Sequence, residues 1–124
     1  MVPVLYHNQG DGTYLDVGAQ AIASEAQGAF SDATTHDVVA ADFDHDGDMD
    51  LLFATNLGMV LLEQSDISGA SPRFTLPLDA ARFGPTVSSI VARSLALYAH
   101  RSGQVDVIAA SDSEGLLYLL GVDP

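Results

Sequence analysis

Apolar positions along this chain come in short runs of four to eight residues, rich in Val, Ile, Leu, Phe and Tyr, and not in stripes of helical period. Such runs, bounded by turn-forming residues, predict β-strands. Strands are expected at Val4–Asn8, Thr13–Val17, His36–Ala41, Asp50–Thr55, Met59–Gln64, Arg73–Leu78, Ile90–Leu97, Val105–Ser111 and Leu116–Leu120. Between them lie "QGDGT", "NLG", "SDISGASP", "RSGQ" and "DSEG", all rich in residues that tolerate tight turns. Asp11-Gly12, flanked by "VLYHN" and "TYLDV", marks a hairpin, because glycine accepts the positive φ such a turn requires. Only "AQAIASEAQ" reads as helical, and it is short enough to be a coil holding one helical turn. Nine short strands joined by tight turns predict an all-β domain.

The pattern repeats. "DMDLLFATNLGMVLLEQ" aligns with "QVDVIAASDSEGLLYLL" when Asp50 is laid on Asp106, a period of about 56 residues with a one-residue slip in the turn. At the same period "PVLYHNQGDGTYLDV" aligns with "MVLLEQSDISGASPRFTLPL", Val4 over Val60. Four strands per repeat of this length is the pattern of propeller blades, each an antiparallel four-stranded sheet. Residues 1–35 then supply the second half of one blade and a connecting segment. Residues 36–78 supply a complete blade, and residues 79–124 a partial, degenerate one. About two blades make an incomplete ring, so further blades or self-association are expected partners.

Composition narrows the function classes. Lys+Arg is 4 against 17 Asp+Glu in 124 residues, a formal charge of −13, and no lysine occurs. That surface repels nucleic-acid phosphates and anionic lipid headgroups. The chain is nonetheless 48% hydrophobic, enough to form a core. With no cysteine, disulfides and thiolate metal sites are excluded. The longest apolar runs, such as "LLYLLGV", are too short to insert in a bilayer, and "MVPVLYHNQG" lacks the regions of a secretory signal.

Charge is concentrated in "DFDHDGDMD", five aspartates between Asp42 and Asp50, followed at once by the apolar "LLFAT". Five like charges in one loop repel strongly unless a cation gathers their oxygens. The spacing D-x-D-x-D-G-x-x-D suits Ca2+, which takes six to eight oxygens in flexible geometry, better than Mg2+, which keeps its waters. Asp42, Asp44 and Asp46 would each give a side-chain oxygen, Gly47 would permit the turn, and Asp48 would offer its backbone carbonyl. Asp50 would close the site with both oxygens. An EF-hand begins alike but needs helices on both sides and a glutamate at loop position twelve, where this chain has Phe53 in a strand. The loop is therefore expected to join two adjacent strands, as a calcium-binding hairpin loop.

"DVVAADFDHDGDMDLLFATN" followed by a "VLL" strand, with "LYHNQGDGTYLDV" before it, resembles the FG-GAP/VCBS repeat family. Its members form the blades of integrin-α-type β-propellers and of many bacterial extracellular proteins, including those associated with ASPIC/UnbV segments. The resemblance covers residues 4–78 closely and 86–120 weakly. It implies calcium at Asp42, Asp44, Asp46, Asp48 and Asp50, an adhesive, scaffolding or ligand-binding role toward a protein or glycan, and an extracellular or periplasmic location. It does not imply one activity, since propellers host binding proteins and enzymes alike. The alternative is therefore a segment of a larger propeller enzyme, of polysaccharide lyase or oxidoreductase type, with catalytic residues outside this chain. The second repeat departs from the motif: in "YAHRSGQVD", Tyr98, His100 and Ser102 replace the first three aspartates and leave Gly103 and Asp106. One carboxylate holds calcium poorly, so a metal-free hairpin of the same shape is expected there. The four histidines show no metal-binding spacing, and no G-x-S-x-G nucleophile elbow occurs, so no catalytic residue is assigned.

Overall fold

The computed structural model describes residues 4–43, 45–66, 73–75, 91–99, 102–103, 105–111 and 115–119. Nine strands form three antiparallel sheets: β1 (Tyr6–Asn8) and β2 (Tyr14–Asp16); β3 (Thr35–Ala41), β4 (Asp50–Thr55), β5 (Gly58–Asp66) and β6 (Arg73–Thr75); β7 (Ala92–Ala99), β8 (Val105–Ser111) and β9 (Gly115–Leu119). Each sheet is a meander in chain order, with two, four and three strands respectively. The all-β expectation holds, and the four-stranded sheet is assembled from the four segments assigned to a complete blade. Predicted strand ends at 76–78, 90 and 120 fall outside the described residues.

The repeat is visible in the pairing. Val39 pairs with Leu52 in the middle sheet and Ala96 with Ile108 in the third, and each sheet carries a bulge at the start of its first pair, at His36 and at Arg93. The slip in the turn is also present. Thr55 pairs with Gly58 across Asn56 and Leu57, whereas Ser111 pairs with Gly115 across one residue more. In the tighter turn the Thr55 hydroxyl donates to the Gly58 carbonyl at 2.6 Å, satisfying a buried polar group locally.

Strand alternation gives the middle sheet two apolar faces. One, carrying Leu52, Ala54, Met59 and Leu61, packs against Leu95, Val107 and Ala109 of the third sheet. The other, carrying Phe53, Leu62 and Phe74, is covered by Val17, Ala21, Ile22, Ala26 and Phe30 of the segment that follows β2, with Leu5 of the first sheet alongside. Phe30 and Phe53 meet edge to face with centroids 4.9 Å apart.

The segment read as helical forms two four-residue helices, α1 (Gly18–Ala21) and α2 (Ser24–Gln27), and a 3₁₀ turn (Gly28–Phe30). Ile22 interrupts them because it bridges to Phe74, and the Ala23 N–H donates to the Phe74 carbonyl at 2.9 Å. This tertiary contact outweighs the helix propensity of an alanine-rich stretch. The Asp11-Gly12 hairpin also forms, with a wider loop than a two-residue turn: Asn8 pairs with Tyr14, and both Gly10 (φ 86°) and Gly12 (φ 92°) are left-handed. Asp11 Oδ1 accepts the Thr13 hydroxyl at 2.5 Å and the Thr13 N–H at 2.9 Å. These bonds, the hydroxyl's first, hold its carboxyl below the ordinary value of 3.8.

Candidate metal centre

β3 and β4 run apolar up to the pair Ala41–Asp50, and the residues between them turn the chain. The turn is built from its own carboxylates. Asp42 accepts two backbone N–H groups, that of Asp46 on Oδ1 at 3.1 Å and that of Gly47 on Oδ2 at 2.9 Å. Asp46 Oδ1 accepts the Asp48 N–H at 2.9 Å. These bonds curl the loop back on its first residue. Two left-handed residues allow the curl: Gly47 at φ 93°, where glycine is unstrained, and His45 at φ 60°, among the side chains that tolerate this region best.

Burial falls off away from the strands. His45, Asp46 and Gly47 are exposed, Asp42 and Asp48 are half-buried, and Asp50 is completely buried. Asp50 is fastened on both sides. Its Oδ2 accepts the Phe43 N–H at 2.9 Å, and its Oδ1 accepts the Gln64 N–H, on β5, at 3.0 Å. One side chain thus ties the loop to β4 and to the strand beyond. A carboxylate offers about four lone-pair sites, so oxygens that accept N–H groups retain chemical capacity for a cation.

Of the five aspartates assigned to a metal, the structure brings Asp42, Asp46, Asp48 and Asp50 into one loop; Asp44 lies outside the described residues. Among the described residues no group of three or more His, Asp or Glu stands in a metal-holding arrangement. The donors are all hard oxygens, the set that suits Ca2+ chemically. In the third sheet Asp106 is also completely buried, and Gly103 is left-handed at φ 87°, as in the first loop. There pairing continues one step further, to Ala99–Val105, which makes a tighter turn.

Three anchoring roles were not evident in the sequence. Asp50 acts as a staple to β5. Asp37 Oδ2 accepts the Leu95 N–H at 2.7 Å and joins the middle sheet to the third. The Nδ1–H tautomer of His36 donates to the Ala92 carbonyl at 3.0 Å across the same junction. A signal for the first did exist: when the repeat loses its other aspartates, Asp106 still stands at the position of Asp50. For Asp37 and His36 the chain carries none, since their partners lie across a sheet boundary. Elsewhere, a cavity of about 180 Å³ between the first and middle sheets is lined by Val4, Leu5, Ile22, Val38, Leu51 and Phe53, and this apolar lining offers no group for chemistry.

Residues 2–53 match the family model of the FG-GAP-like repeat. This stretch, less than half of the chain, is similar to an FG-GAP-like repeat. The match contains β3 and the whole aspartate loop, and it ends at Phe53, within β4. The matched stretch takes β1 and β2 from one sheet and β3 and part of β4 from the next. No curated protein and no solved structure matches the chain.

Proposed function

We propose that the Asp42–Asp50 loop binds one calcium ion, and that the chain is a calcium-stabilised propeller segment acting outside the cell, where it presents loops to a protein or glycan ligand. The observation that carries this reading is the curl of the loop. Asp42 draws the backbone of Asp46 and Gly47 toward itself, so the loop closes back on its first aspartate. Gathering like charges costs free energy that a divalent cation offsets. Asp42, Asp44 and Asp46 would supply side-chain oxygens, Asp48 its carbonyl, and Asp50 the closing ligand beneath them. Extracellular calcium modules work at dissociation constants of roughly 10⁻⁴–10⁻³ M, matched to calcium outside cells.

Calorimetric titration of chelator-treated protein with CaCl2 tests the metal: one ion per chain is expected. Thermal melts with millimolar calcium should lie several degrees above melts in chelator, because binding at about 100 times the dissociation constant adds about 2.7 kcal/mol. No heat of binding together with superimposable melts would remove the proposal. The ligand-presenting role is tested by glycan and protein arrays probed with and without calcium, where calcium-dependent spots are expected.

A further inference from the structure

The chain contains two Asp-Gly steps, Asp11-Gly12 and Asp46-Gly47. An aspartate can condense with its own backbone when the nitrogen of the next residue attacks its side-chain carboxyl carbon. Glycine, lacking a Cβ, leaves that nitrogen least shielded. Both steps share one side-chain arrangement. Asp11 Oδ1 accepts the Thr13 N–H at 2.9 Å, and Asp46 Oδ1 accepts the Asp48 N–H at 2.9 Å. Each bond closes a small ring that includes the glycine nitrogen, so each carboxyl is folded back toward the atom that would attack it. Gly12 and Gly47 are alike too, left-handed at φ 92° and 93°, and a Cβ at either would meet no atom within 4 Å.

The two steps differ at the glycine N–H. That of Gly47 donates to Asp42 Oδ2 at 2.9 Å, and the Asp46 N–H donates to Asp42 Oδ1 at 3.1 Å. In the aspartate loop the attacking nitrogen is therefore held by a charged acceptor, and ring closure must first break that bond. Among the described residues the Gly12 N–H makes no hydrogen bond. The hairpin pairs Asn8 with Tyr14, and the Gln9 N–H donates to the Thr13 carbonyl; both contacts lie outside the Asp11–Gly12 peptide.

We propose that Asp11 is a site of spontaneous isomerisation through a cyclic imide, and that Asp42 protects the same step in the aspartate loop. The Gly12 nitrogen forms a bond to Asp11 Cγ, the Cγ–O bond breaks, and the hydroxyl leaves with the N–H proton as one water. Water then adds to the imide. Addition at the Asp11 side-chain carbonyl restores aspartate. Addition at its backbone carbonyl breaks the original peptide bond and leaves the chain running through Cγ as isoaspartate, one methylene longer and unchanged in mass. Because the leaving group is a hydroxyl, the neutral acid is the reacting form. The bonds from Thr13, its hydroxyl's first, favour the ionised form, so the reaction is faster in mild acid than at neutral pH.

The test is incubation of the full chain in EGTA, in mild acid and at neutral pH, followed by peptic digestion and fragmentation mass spectrometry that separates isoaspartate from aspartate. Conversion at Asp11 is expected to run about tenfold or more faster than at Asp46, the factor that breaking one charge-assisted hydrogen bond imposes on a rate. In concentrated urea the two rates should converge, because the two glycine amides no longer differ. Asp42→Ala, which removes the acceptor of the Gly47 N–H, should raise the rate at Asp46 and leave that at Asp11 unchanged. Equal conversion at the two sites in the folded chain would overturn the proposal. So would a ratio that urea does not change, or an Asp46 rate that Asp42→Ala leaves as it was.

Discussion

Asp50→Ala separates the structural work of this carboxylate from any metal it holds. The side chain is completely buried, and its two oxygens accept the N–H groups of Phe43 and Gln64. Alanine leaves both donors without these acceptors, and a buried donor left unsatisfied costs about 1–3 kcal/mol. The expected loss in chelator is therefore roughly 2–6 kcal/mol, a large share of the 5–15 kcal/mol typical of folded domains. Asp48→Ala, at a half-buried position in the turn, should lose under about 1 kcal/mol in the same buffer. Urea unfolding followed by far-ultraviolet circular dichroism in EGTA gives both numbers. Repeating it in millimolar calcium should widen the gap between wild type and Asp50→Ala, since the variant also loses the stabilisation that binding confers on the native state. A loss below about 1 kcal/mol for Asp50→Ala in EGTA would refute the staple. A gap that does not change with calcium would refute Asp50 as a ligand while leaving the staple intact.

Gly47→Ala should cost about 1–2 kcal/mol by urea unfolding through backbone strain alone, because φ is 93° and an added Cβ would meet no atom within 4 Å. Asp37→Ala should speed hydrogen exchange at the Leu95 amide and cost about 1–3 kcal/mol, with the third sheet loosening before the middle one. Phe30→Ala, which empties a completely buried site against Phe53, should cost about 3–5 kcal/mol. For Asp11, whose folded carboxyl titrates below 3.8, the charged form is favoured by the fold; its contribution is present above that value and lost as pH falls through the lowered one, so acid titration by NMR should loosen the Thr13 amide only below about pH 3.8.

What the chain reveals about itself depends on the range of the contact. Strand alternation is local, and β4 and β8 have the bounds that periodicity predicts. The four-stranded sheet followed from the repeat, because turn spacing leaves neighbouring strands little choice but to pair in order. "AQAIASEAQ" broke at Ile22 for a reason no local rule contains, a bridge to Phe74 far along the chain. The loop was legible as a group of aspartates, but not the division of labour within it. Spacing shows that Asp50 belongs to the group; only the register of β5 shows that it also holds Gln64.

The meander order of the middle sheet has a consequence for synthesis. A nascent chain that has reached only Phe53 has β3 and most of β4 made, while β5 and β6 belong to sequence not yet translated. During that interval β4 has one edge unpaired, and open edges are sites of mispairing with other chains. Slow codons or a stall placed after Phe53 would therefore expose an edge that a stall after Thr75, with all four strands made, would not.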